Sequence, residues 1–221
     1  MPWGTLLAGC AGGLAISVAA YQFAEPFQQP ADITLTVRAG FVPIVAAVAF
    51  LLDDPHRNLT ASLPAPAWLT SAARLALALP MLALTAWLQF ELAAAELGID
   101  VRSQHLSAAR VPWAAVCAEF LAWSAIALTA AALAARTRWH DLGGAIGAPA
   151  ALAFIGLLAF TPLHLFPAAF TGLTPPQRSV WVHAEWGWWA IGLLAGLLAC
   201  WACRDPWLRI PASASRLRST E

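Results

Sequence analysis

Six separate stretches of this chain run for about 20 residues with very little charge, and that pattern limits its fold more than any other feature. A bilayer's hydrocarbon core is about 30 Å thick, which takes roughly 20 residues of α-helix to cross. The windows run from about Gly4 to Phe23, Ile33 to Leu52, Ser71 to Glu91, Val111 to Ala135, Leu142 to Phe166 and Trp181 to Cys203. Only 11% of the residues are charged and 60% are hydrophobic, against about 25% charged in soluble domains. Too few polar side chains remain to coat a water-soluble core. The expected fold is therefore all-α and polytopic: a transmembrane domain over residues 1–210 with about six helices, then a short tail over 211–221. Pro43, Pro80, Pro149 and Pro162 fall inside the windows, which a membrane helix tolerates where its neighbours re-satisfy the backbone.

The net charge of zero argues against a nucleic-acid partner. All 12 basic residues are arginine. Without a lysine the chain has no phosphate-binding P-loop of its own, so any ATP hydrolysis has to come from another subunit.

Arginine placement orients the spans, because basic residues concentrate in cytoplasmic loops. With the N-terminus inside, Arg57, Arg74, Arg136, Arg138, Arg204, Arg209, Arg216 and Arg218 lie inside, and Arg38, Arg102, Arg110 and Arg178 outside. Both termini are thus expected in the cytoplasm. Tryptophans cluster near the proposed interfaces, as membrane aromatic belts do, and support the span limits without fixing their direction.

The connection after the second span, DDPHRNLTASLPAPAWLTSAARL, opens on Asp-Pro and carries Pro64 and Pro66. From Pro66 it turns amphipathic, with Trp68, Leu69, Ala72 and Ala73 on one side and Arg74 on the other, which predicts a short helix lying along the inner surface. The connection between the fifth and sixth spans is apolar yet rich in Pro and Gly, as expected of a segment that re-enters the bundle. Asp54-Pro55 and Asp205-Pro206 close two apolar runs and read as helix stops.

Ionisable groups within a bilayer are costly and therefore functional candidates. Glu119 lies about two turns into the fourth span. It reads either as a substrate or proton contact or as a buried acid bonded to a neighbouring helix. Gln89, Glu91, His164, His183 and Glu185 sit at similar depth in the outer half, either as a hydrated vestibule or as ordinary interfacial polarity. His183 and Glu185 are two apart and diverge on a helix, which makes them poor co-ligands. Cys200 and Cys203 share a helix face, so redox or metal use is geometrically open, but no second pair or nearby His completes a site; packing is the favoured reading. Leu6-Leu7-Ala8-Gly9-Cys10 resembles a lipoprotein cleavage box but lacks the preceding basic region, and reads as the start of the first span.

The ending LLDDPHR of the second span, the Pro-rich loop after it and the apolar run closing on CRDPW resemble small permease subunits of bacterial ABC exporters, of the actinobacterial type-two class. Arg38 departs from the family by making one end of the second span unusually polar. The resemblance implies a coupling segment touching an ATPase subunit, here Asp53, Asp54, Pro55, His56, Arg57, Trp68 and Arg74. It also implies short re-entrant helices between spans five and six, a second permease chain (identical or homologous), and a place in the bacterial inner membrane. The chain itself would need no cofactor, with ATP bound by the partner. Gln89, Glu91, Glu119, His164, His183 and Glu185 would line the path of a hydrophobic or amphipathic compound. The alternatives are a haem- or redox-bearing membrane protein and an accessory or immunity protein without transport.

Overall fold

The structure, a computed structural model, describes residues 3–23, 30–53, 67–96, 112–136, 142–161, 163–167 and 175–203. Among them every regular element is helical: α1 (Trp3–Phe23), α2 (Pro30–Ala49), α3 (Ala67–Glu96), α4 (Trp113–Ala135), α5 (Gly143–Ala159) and α6 (Pro175–Cys203), with a 3-10 turn over Phe50–Leu52 after α2. All but α5 are long and apolar enough to cross a membrane. Their outer faces are apolar as well: Leu77, Leu157, Trp186, Leu193, Leu194 and Leu197 are each more than 60% exposed. A surface of this kind suits lipid, and the chain is a polytopic helical membrane protein.

Between helices in lipid there is little hydrophobic drive, so close packing through small residues takes over. Gly9 and Gly13, one turn apart on α1, lie directly on Pro43, Ala47, Gly40 and Ile44 of α2. A side chain at either glycine would collide with α2. Gly147 of α5 abuts the Ala131 backbone of α4 in the same way. Two groups result. α1 packs mainly on α2, with α3 against both, while α5 and α6 each pack on α4. α2 joins the groups, because it also lies against α4 and α5. The 3-10 turn that ends α2 touches α1, α2, α3, α4 and α5.

Three elements differ from their expected limits. α3 begins at Ala67, so the amphipathic stretch from Trp68 to Arg74 forms its first turns instead of a separate surface helix. α5 stops at Ala159 and does not continue to Phe166: the N–H groups of Phe160 and Thr161 donate to the carbonyls of Leu157 and Leu158, the tight bonding of a closing turn. Pro162, next in sequence, has no N–H with which to resume a helix. α6 begins at Pro175, ahead of the expected Trp181; proline suits a first helical turn because its missing N–H would go unused there.

Candidate functional site

Arg38 lies in the third turn of α2 and Glu119 in the second turn of α4, about 12 and 9 Å along their helices. Arg38 Nε donates to Glu119 Oε1 at 2.7 Å and Nη2 to Oε2 at 3.1 Å. Glu119 is 2% exposed and the Arg38 side chain 14%. The two-point geometry matches the flat guanidinium to the carboxylate. Such a pair recovers its large desolvation cost only when its geometry is this good.

A network of aromatic rings adjoins the pair through Phe166. The Arg38 guanidinium sits 5.1 Å from the Phe166 ring centre, a cation–π distance. Phe166 packs edge-on to Trp188 at 5.3 Å and near Trp123 at 6.1 Å. Phe41, one turn below Arg38 on α2, meets Phe120 at 4.7 Å. Phe166 belongs to the non-helical segment 163–167, which turns inward after α5. His164 there adopts φ 49°, a left-handed conformation uncommon outside glycine. His164 is exposed while Leu165 is buried. The Leu165 carbonyl accepts the Trp188 indole N–H at 2.8 Å, which ties the segment to α6.

A second buried polar contact lies on the other side of α2. Ser17 Oγ donates to Gln89 Oε1, and both side chains are fully buried. Gly40 leaves the room they occupy: a Cβ there would fall on the Gln89 amide and the Ser17 hydroxyl. Two buried donors, Gln89 Nε2 and Trp123 Nε1, have no hydrogen-bond partner among the described residues.

At the opposite end of α2, Asp53 closes the 3-10 turn. Its Oδ1 accepts the Gly144 N–H at 2.8 Å, at the start of α5, where a helix favours negative charge. The Asp53 carbonyl accepts from Arg74 Nη1 of α3 at 3.3 Å. Burial raises the Asp53 pKa above the ordinary carboxylate value, and the Gly144 N–H partly opposes the rise. Arg136, following α4, donates to the carbonyls of Ala202 and Trp201 at 2.7 Å each and covers the Trp201 ring, an interaction suited to the negative end of α6.

Of the expected path residues, Gln89 and Glu119 lie inside the bundle, Glu91 and Glu185 are half-buried, and His164 and His183 are exposed. Cys200 is exposed and Cys203 half-buried. Among the described residues no three His, Cys, Asp or Glu side chains gather as metal ligands would. Of the expected coupling residues, Asp53 and Arg74 are joined to each other, while Asp54, Pro55, His56 and Arg57 lie outside the described residues, as does the Trp68 side chain. Sequence reasoning did not pair Arg38 with Glu119, though a signal was present. Both charges interrupt apolar windows at similar depth, in spans expected to run in the same direction. Nothing in the sequence marked Phe166 as their neighbour, or Ser17 as the partner of Gln89.

Comparison of the chain with protein-family models, with curated proteins and with solved structures finds no match.

Proposed function

We propose that this chain is the membrane-spanning subunit of a bacterial ABC exporter, with both termini cytoplasmic and ATP hydrolysed by a separate subunit. The observation that carries the reading is the Asp53 junction. Residues 54–66 join α2 to α3, and Asp53 binds Gly144 of α5 through its carboxylate and Arg74 of α3 through its carbonyl. A force applied to that connection by a partner would reach α2, α3 and α5 together. The inward-packed segment 163–167 between the last two helices also fits the exporter plan.

In this reading the subunit carries no catalysis. It holds two conformations, and the ATPase shifts their balance by binding one better than the other. A second permease chain, identical or homologous, would complete the path. The apolar walls suit a hydrophobic or amphipathic compound.

The test is to place single cysteines along residues 53–74 of the full chain and to crosslink it in its native membrane, looking for capture of a P-loop ATPase. Capture of the ATPase from this stretch, with ATP hydrolysis stimulated in the reconstituted complex, is the expected result. Capture only from the C-terminal tail, or no stimulation, would overturn the assignment. A reporter fused to the C-terminus checks orientation and should be active only on the cytoplasmic side.

A further inference from the structure

The two helix groups are bridged by α2, and polar contacts cross between them near both of its ends. Arg38 binds Glu119 of α4 at one end; Asp53 binds Gly144 of α5 at the other. Roughly 20 Å of helix separates them. Between them α2 presents Phe41, Ile44, Val45 and Val48, all fully buried and apolar. An apolar seam inside a bilayer gains little from closing, because lipid tails satisfy the same surfaces. The balance between open and closed at each end is therefore set mainly by its polar contact.

We propose that Arg38–Glu119 and Asp53–Gly144 are two separate latches at opposite ends of α2, each holding the α1–α3 group against the α4–α6 group at its own end, so that releasing one opens that end alone. This rests on the transport reading for its purpose, since opening the two ends in turn is what a transporter requires, but the mechanical claim stands on the geometry.

The latches differ in kind. Arg38–Glu119 is a buried charge pair with the Phe166 ring against the guanidinium, so that parting it leaves two costly charges in an apolar setting. It resists opening until something replaces one partner. Asp53–Gly144 is a single hydrogen bond from a backbone N–H to a carboxylate that is only half-buried, next to the connection where a partner subunit would act. It is the weaker latch and the one accessible from outside the hydrocarbon.

The experiment uses the full chain alone in lipid nanodiscs, so it does not depend on any ATPase. With the four native cysteines replaced by alanine, one pair of spin labels at Ala19→Cys and Val182→Cys reports on the Glu119 end. A second pair, at Leu7→Cys and Leu198→Cys, reports on the Asp53 end. Glu119→Gln should lengthen the first distance by something on the order of one helical turn, about 5 Å, and leave the second unchanged. Asp53→Ala should do the reverse. If Glu119→Gln does not fold, Glu119→Asp, which keeps the charge but shortens its reach, is read on the same labels with the same expectation. Neither distance moving, or both moving together in any variant, would overturn the two-latch arrangement. If the distances respond end by end while no ATPase is captured on residues 53–74, the latches stand and the exporter reading fails.

Discussion

Arg38 and Glu119, 81 positions apart in sequence, meet through two parallel hydrogen bonds in the interior of a helical membrane protein. Cutting that pair on one side leaves a charge without its counter-ion. Glu119→Leu is expected to lose about 3–5 kcal/mol of stability, the usual result of breaking a buried pair, seen as a lower melting temperature in detergent and reduced yield. The double variant Arg38→Met/Glu119→Leu should recover most of that loss, because it removes both desolvation costs. A double variant no more stable than the single one would mean that Glu119 acts through some partner other than Arg38.

Gly40 makes room for the Ser17–Gln89 contact. Gly40→Val should therefore lower thermal stability more than Gly12→Val, whose site is open apart from an ordinary contact with Pro43. Shortening the obstructing side chain, in Gly40→Ala/Gln89→Ala, should restore part of the loss caused by Gly40→Ala alone. Absence of that rescue would show that α1 and α2, rather than Gln89, set the space at this position.

Asp53 gives a pH dependence of known sign. Its folded-state pKa lies above the ordinary 3.8 because burial disfavours the charged form. The folded chain thus holds this proton more tightly than the unfolded chain. Its effect on stability is most favourable below pH 3.8, declines as pH rises from there through the raised value, and is constant above it. Melting temperature against pH should show this decline in the parent protein and less of it in Asp53→Asn. Asp53→Asn retains an oxygen for the Gly144 N–H and should melt at or above the parent at neutral pH. Asp53→Ala leaves that buried donor unpaired and should cost about 1–3 kcal/mol.

Trp188 holds segment 163–167 inward through the Leu165 carbonyl. In a chain carrying Leu165→Cys with native cysteines removed, labelling by a membrane-impermeant maleimide should be slow, since Leu165 is 2% exposed. Adding Trp188→Phe, which keeps an aromatic ring but removes the indole N–H, should speed labelling several-fold. An unchanged rate would assign the segment's position to packing of Phe166 alone.

The helices were legible in the sequence because lipid imposes a length and an apolar composition that few residues can disguise. Glu119 stood out for the same reason, as a charge where charge is expensive. Arg38 was visible only as an anomaly of the second span, since a window of hydropathy records each segment alone and not which segment lies beside it. The end of α5 was hidden because Leu163, Leu165 and two phenylalanines keep the stretch from Phe160 to Phe166 largely apolar, and hydrophobicity does not distinguish a helix from a chain folded back on a bundle. Ser17 and Gln89 are ordinary interfacial residues by type. What makes them a pair is the close approach permitted by Gly13 and Gly40, which only a three-dimensional arrangement reveals.

The unequal lengths of α3 and α5 have a consequence for the surrounding lipid. At 30 residues α3 is about 45 Å long, while α5, at 17, is about 25 Å. A bilayer of ordinary thickness exceeds one and falls short of the other. α3 must tilt or project into the headgroup layer, while beside α5 the acyl chains must either compress or meet Phe160, which is 90% exposed. Such mismatch costs a fraction of a kcal/mol per ångström. The protein therefore carries a thickness preference of its own, and shortening or lengthening the acyl chains around it would load its two sides in opposite senses.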